Sequence, residues 1–324
     1  MLLQAGTGLE VVSVERIWNQ APYSSFGDIL FAQGKWFCVF REGQQHAPRP
    51  GTEDDGKLRV ISSKKGDKWE SAALLAEDGV DLRDPHLSVT PDGRLMIIAG
   101  GSLYPGGIYK GRQSRVMFSR DGVTWSKPEK VLEPGHWLWR VTWHNGTAYG
   151  ISKYGLSPTA APDNARRQNL VASTDGVHWR FVTELKVPGG DESTVRFLAD
   201  GRMVALVRRS LATENQAYIG VSKPPFQDWV WHPAGVFVGG PNFIVLPDGR
   251  MVAGGRYYVN GDHASAKTAV GFMQLDSYTP TLILPSGGDS SYPGFFYKDG
   301  LLWTLYYSSH GGKSEIYLAK LRVN

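Results

Sequence analysis

The phrase Ser-x-Asp-Gly-x-x-Trp occurs twice in full, as Ser119-Arg120-Asp121-Gly122-Val123-Thr124-Trp125 and as Ser173-Thr174-Asp175-Gly176-Val177-His178-Trp179. Degenerate copies run from Ser63 to Trp69 and from Ser222 to Trp229, so one tryptophan turn recurs about every 50 to 56 residues. A period of that length marks an array of repeated supersecondary units. A second signal shares it: an apolar run, a tight turn, another apolar run. The turns are Gln33-Gly34, Asp92-Gly93, Asn145-Gly146, Asp200-Gly201, Asp248-Gly249 and Asp299-Gly300. Asp-Gly and Asn-Gly tolerate the positive φ that a hairpin turn needs, so each marks a β-hairpin. Six hairpins, each followed by the strand pair around a tryptophan turn, predict an all-β, six-bladed β-propeller of four-stranded antiparallel blades over residues 1–324 as one domain. The last unit, from Ser290, has room for three strands only. Leu9 to Trp18 is expected to supply its outer strand and close the ring. A β-sandwich would not generate this period.

Composition narrows the partners. The chain is 41% hydrophobic and 20% charged, enough apolar surface to bury a core. A net charge of +4 without any Lys/Arg run argues against nucleic acid. No window approaches the ~18 apolar residues of a membrane span. The start, Met1-Leu2-Leu3-Gln4, has neither a basic n-region nor an apolar h-region. The expectation is a soluble chain with no membrane partner, cytoplasmic or secreted after processing. Cys38, the lone cysteine, sits in an apolar run and reads as a small buried hydrophobe. The histidines show no paired ligand spacing and no Gly-rich loop precedes a helix, so neither a metal nor a nucleotide cofactor is expected.

In a propeller the residues that enter each innermost strand and leave each second strand gather at one mouth of the central channel. Here the entering residues include Asp28, Arg83-Asp84-Pro85-His86, Trp139-Arg140, Asp191-Glu192-Ser193, Pro241-Asn242 and Ser291-Tyr292-Pro293. The leaving ones include Arg41-Glu42-Gly43, Lys153-Tyr154, Arg208-Arg209, Arg256-Tyr257 and Tyr307-Ser308. Arginine, carboxylate and aromatic residues dominate, which suits a polar ligand. Trp137 and Trp139 fit core packing first and sugar stacking second. His310, with Gly311-Gly312, reads as a turn.

The tryptophan turns resemble the Asp boxes (BNR repeats) of the sialidase, or neuraminidase, superfamily, whose six-bladed fold accommodates the whole chain. Such turns mark the periphery of the blades, so function rests on the channel residues. Glu192-Ser193-Thr194-Val195, with Asp200-Gly201-Arg202 and then Arg208, is similar to the blade in which a glutamate opens the first strand and an arginine closes the second. Ser291-Tyr292-Pro293 resembles the segment of the catalytic tyrosine. The resemblance implies Tyr292 as nucleophile and Glu192 as its base, since a phenol of pKa near 10 attacks poorly until a carboxylate takes its proton. It also implies a general acid on the loop from Gly43 to Gly56, where Asp55 and Asp54 are the candidates and His46 the other proton donor. Arg208 and Arg256 fit two of the three arginines that grip a sialic acid carboxylate. The first arginine falls on Ser25-Phe26-Gly27, and its supporting glutamate falls on Tyr307. Arg41, Arg83 and Arg140 are the candidate replacement cations. Asp84 offers a sugar-hydroxyl acceptor, a catalytic carboxylate or a structural ion pair.

The implied function is a retaining exo-glycosidase acting on a terminal α-linked acidic, sialic-acid-like, or other polar sugar of a glycan, with no cofactor. The alternatives are a non-catalytic glycan-binding propeller, or a glycosidase or lyase acting on a uronic or neutral sugar.

Overall fold

All six hairpin turns form where the sequence places them, and they take two shapes. At Gln33-Gly34, Asn145-Gly146 and Asp299-Gly300 both turn residues have positive φ, and the strands meet across a two-residue loop. At Asp92-Gly93, Asp200-Gly201 and Asp248-Gly249 only the glycine does, and the loop is longer. There each aspartate receives the Nε–H of an arginine two residues on, at 2.7 Å, and this fixes the bend.

The structure is a computed structural model that describes residues 8–52, 55–155, 166–211 and 214–324. Its strands form six four-stranded antiparallel sheets. The first blade comprises β2 (Tyr23–Ala32), β3 (Lys35–Gly43), β4 (Lys57–Ser63) and β5 (Glu70–Leu75), from the inside outward. The second comprises β6 (Asp81–Val89), β7 (Leu95–Leu103), β8 (Gly111–Ser119) and β9 (Glu129–Val131). The third has β10 (Trp137–His144), β11 (Thr147–Tyr154), β12 (Arg167–Ser173) and β13 (Arg180–Leu185). The fourth has β14 (Gly190–Phe197), β15 (Met203–Arg209), β16 (Tyr218–Ser222) and β17 (Trp229–Pro233). The fifth has β18 (Gly239–Val245), β19 (Met251–Tyr258), β20 (Ala266–Met273) and β21 (Leu282–Ile283). The sixth joins β22 (Ser290–Lys298), β23 (Leu301–Ser308) and β24 (Glu315–Val323) to β1 (Leu9–Trp18), so the N-terminal strand closes the ring as predicted.

The blades pack face to face. Phe37, Val39, Leu58 and Val60 of the first meet Leu82, Leu95 and Ile97 of the second, all fully buried. Inner strands covered on both faces read as continuous apolar runs, of which Leu95-Met96-Ile97-Ile98-Ala99 is one. Cys38 lies in this interior, fully buried. The tryptophan turns join third to fourth strands at the rim. In each full copy the aspartate Oδ1 accepts two backbone N–H groups and the tryptophan Nε1–H donates to the glycine carbonyl. Among the described residues no helix is long and apolar enough to cross a membrane.

One feature positions the site. Each innermost strand carries a β-bulge near its start, breaking the register between Ser25 and Gly27, Arg83 and His86, Leu138 and Val141, Gly190 and Ser193, Gly239 and Asn242, and Ser291 and Gly294. A bulge inserts residues that the ladder cannot pair and re-aims their side chains. The inserted residues include Phe26, Asp84, Glu192, Gly240 and Tyr292. Phe26, Asp84 and Tyr292 hold φ of 51°, 50° and 52°, a left-handed conformation that side chains seldom adopt within a strand. Pro85, Pro241 and Pro293, which have no N–H for the ladder, fall inside these bulges.

Candidate active site

The bulges of the second, fourth and sixth blades deliver Asp84, Glu192 and Tyr292 to the wall of one cavity of about 330 Å³. Tyr292, 8% exposed, donates its phenolic proton to Glu192 Oε1 at 2.9 Å. Glu192 Oε2 accepts from Arg208 Nη1 at 2.7 Å and from the backbone N–H of Gly240 at 3.0 Å. The same Nη1 lies 3.0 Å from the tyrosine oxygen. One carboxylate oxygen is thus fixed, and the other is left to take the phenol's proton. Burial, and then the charge of Glu192, push the Tyr292 phenol well above its ordinary value against the opposing charges of Arg208 and Arg256. The resting tyrosine is therefore the neutral phenol. Its ring lies against Phe26, with centroids 5.4 Å apart, and edge-on to Trp139 at 5.6 Å.

Asp84 is 7% exposed, and its Oδ1 is buried without a hydrogen-bond partner among the described residues. Its nearest cation, Arg83, stands at 3.9 Å, and Arg83 Nη1 is drawn to Asp81 at 3.3 Å. Burial pushes the Asp84 carboxyl up to about 7; the charge of Arg83 opposes this and that of Glu192 adds to it. Near neutrality this group holds a proton it can give away.

The remaining walls are aromatic and basic. Trp137 and Phe26 supply apolar faces, and Tyr104 and Tyr109 come from the segment between β7 and β8. Arg83, Arg112 and Lys153 add charge, with Lys153 paired to Asp191. Arg112 Nε donates to the Gly135 carbonyl at 3.1 Å. Ring faces and hydrogen-bonding groups facing one enclosure suit a sugar.

Asp55 lines a different cavity, with Glu42, Lys57 and Asp78, and Asp54 lies outside the described residues. His46 reaches the cavity wall, where its Nδ1 sits 2.6 Å from Asp289 Oδ2. Arg41 is fully buried off the cavity wall, with Nε on Asp81 Oδ1 at 2.7 Å and Nη1 on the Gln45 carbonyl at 2.8 Å. Arg140 is buried in the channel, where Nη1 meets Asp28 Oδ2 at 2.5 Å. Arg208 is committed to Glu192 and Tyr292, as above. Arg256 donates to Asp289 Oδ1 at 2.7 Å, to Tyr307 Oη at 2.8 Å and to the Ser290 carbonyl at 2.9 Å. Tyr307 is fully buried and donates to Asp289 at 2.9 Å.

Sequence reasoning missed Gly240, Asp289, Tyr104 and Tyr109. For Gly240 a signal existed: Asp84-Pro85, Gly240-Pro241 and Tyr292-Pro293 stand at the same place in three blades, each a residue before proline at an innermost strand's bulge.

By sequence the chain matches no protein-family model and no curated protein. By structure it is similar to a protein of unknown function from Dyadobacter fermentans, with a TM-score of 0.83 and 18% identity over 98% of this chain and 100% of that one. An α-L-arabinofuranosidase of Fusarium graminearum, solved with arabinobiose, gives a TM-score of 0.71 at 15% identity, over 96% of this chain and 98% of that one. Trypanosoma rangeli sialidase, solved with the inhibitor DANA, gives 0.70 at 13% identity, covering 98% of this chain and 60% of that one. At these identities the likeness is one of fold, the six-bladed propeller.

Proposed function

We propose that this protein is a retaining glycoside hydrolase that works through a tyrosyl intermediate. The observation that carries the reading is the 2.9 Å contact between Tyr292 and Glu192 on the wall of a sugar-sized cavity. In the first step Tyr292 Oη bonds to the anomeric carbon of a terminal sugar while Glu192 Oε1 takes the phenolic proton. The bond from that carbon to the leaving oxygen breaks, and Asp84 protonates the oxygen as it departs. In the second step Asp84, now a carboxylate, takes a proton from water as the water attacks the anomeric carbon. The tyrosine oxygen leaves and recovers its proton from Glu192. Two displacements at one carbon retain its configuration, the tyrosine variant of the usual two-carboxylate scheme.

Asp84 replaces the loop aspartates as acid in this reading because it shares the wall with Tyr292, whereas Asp55 does not. Arg208 aims Glu192, through its 2.7 Å hydrogen bond to Oε2. A cavity of about 330 Å³ accommodates about one sugar ring, which favours exo-action. Two of the structural neighbours are named as glycosidases, which agrees with the reading.

The test is a panel of aryl glycosides assayed with the wild type, Tyr292→Phe and Glu192→Ala. Turnover by the wild type and a loss of roughly a thousandfold or more in each variant is expected. Undiminished turnover in both variants would remove the mechanism. Glycan binding without turnover on any substrate would leave a binding propeller in its place.

A further inference from the structure

We infer that the sugar attacked at this site is an aldose, bearing hydrogen rather than a carboxylate on its anomeric carbon, because Asp289 already holds the guanidinium that such a carboxylate would need. The inference rests on the glycosidase reading above and names its substrate class.

A sialic acid carries its carboxylate on the very carbon that a nucleophile attacks. With that carbon against Tyr292 Oη, the carboxylate must lie within about one bond length of it and needs a free cation there, since an unpaired buried charge is very costly. The cations that act most strongly on Tyr292 are Arg208 and Arg256. Arg208 Nη1 is spent on Glu192 and on the tyrosine oxygen. Arg256, its guanidinium carbon 5.2 Å from the Tyr292 ring centroid, donates through Nη2 to Asp289 and Tyr307 and through Nε to the Ser290 carbonyl.

Asp289 is itself held from every side. Tyr307 and Arg256 reach one oxygen; His46 and Tyr23 reach the other. Burial alone would raise its carboxyl, but the hydrogen bond and charge of His46 and the charge of Arg256 hold it well below the usual range. It is an anion at neutral pH, and a substrate carboxylate entering here would meet it as a like charge. Phe26 fills the adjoining space, 2% exposed and packed on Tyr307 with ring centroids 5.2 Å apart. Neither Arg208, Arg256 nor Asp289 lines the cavity. Of the cations that do, Arg83 faces Asp81 and Lys153 faces Asp191, while Arg112 comes from β8, a third strand and so farther from the axis.

The experiment titrates the protein calorimetrically with the unsaturated sialic acid analogue DANA, which reads the carboxylate site whether or not glycosides are turned over. In parallel, kcat/KM is compared between an aryl α-sialoside and aryl aldosides, including an α-L-arabinofuranoside, a galactoside and a glucuronide. The wild type is expected to show no saturation below about millimolar DANA and to prefer an aldoside by about a hundredfold or more. Asp289→Asn, which releases the charge of Arg256, is expected to bind DANA about tenfold more tightly than the wild type. Micromolar binding by the wild type, or preference for the sialoside, overturns the aldose assignment and leaves the glycosidase standing. No turnover of any glycoside, with DANA still not binding, defeats the glycosidase reading and leaves the argument about the carboxylate site intact.

Discussion

Tyr292 and Glu192 are separated by 100 residues in the chain and by 2.9 Å between their oxygens. The phenol is the donor, and the acceptor carboxylate is fixed on its other oxygen by Arg208 and Gly240. The pair comes together because the fourth and sixth blades each bulge at the start of their innermost strand, turning one side chain out of the ladder toward the same mouth.

If Asp84 is the acid, it works only while protonated. With its carboxyl raised to about 7, kcat/KM is expected to be sustained below that pH and to fall above it with an apparent pKa near 7. Asp84→Asn should abolish this alkaline limb and slow turnover by roughly 100- to 10,000-fold for glycosides of alkyl alcohols. Dinitrophenyl glycosides, whose leaving oxygen needs no proton, should lose far less. A pH–rate profile of the variant that keeps the wild-type alkaline limb would assign the proton to another group.

The same carboxyl makes a prediction about stability. Its folded-state pKa lies above its unfolded value of 3.8, so its contribution to stability is fully present below about pH 4 and is lost as the pH rises through about 7. Asp84→Asn should match the wild type in unfolding free energy from urea titration near pH 4 and exceed it near pH 8, by up to about 4 kcal/mol. Equal stability at both pH values would contradict the burial argument.

Gly240 has φ of 56°, and a Cβ there would stand 2.1 Å from Cδ1 of the Tyr292 ring. Gly240→Ala must therefore displace the ring or the strand. We expect roughly 1–3 kcal/mol of destabilisation and a fall in kcat of about a hundredfold, from a shift of the order of 1 Å in the nucleophile. Thermal unfolding and steady-state kinetics on the soluble variant check the two parts separately.

Much of this was legible in the chain, and the reasons for the rest are physical. The period of the tryptophan turns and the six Gly-containing hairpins predicted the blades, and the short final unit predicted closure by Leu9–Trp18. The placing of side chains was harder. Strand residues alternate faces with a period of two, but a bulge breaks that alternation at the very positions that face the mouth. Arg41 and Arg140 thus read as mouth residues, whereas the first is buried against Asp81 and the second lies in the channel against Asp28. The sequence leaves Asp84 open among three roles because it does not show that Oδ1 is buried without a partner among the described residues. Asp289 follows Gly287-Gly288 and looks like any turn aspartate; only the fold brings Arg256, His46 and Tyr307 around it.

The channel pair is open to a direct test of that distinction. Arg140→Met would leave the buried Asp28 carboxylate without its guanidinium, so a loss of roughly 3–5 kcal/mol is expected, while kcat/KM of the folded protein should change less than about threefold. A large kinetic effect at unchanged urea stability would instead make Arg140 a substrate ligand.

In the proposed mechanism a tyrosine oxygen forms the covalent bond to the sugar. Incubating the protein with an activated fluoro-sugar of the preferred glycone, then digesting it and sequencing the labelled peptide by mass spectrometry, reads that bond. One glycosyl group per chain is expected, attached to Tyr292 and absent in Tyr292→Phe. A label on Glu192 or Asp84, or an inverted product with no label at all, would contradict it.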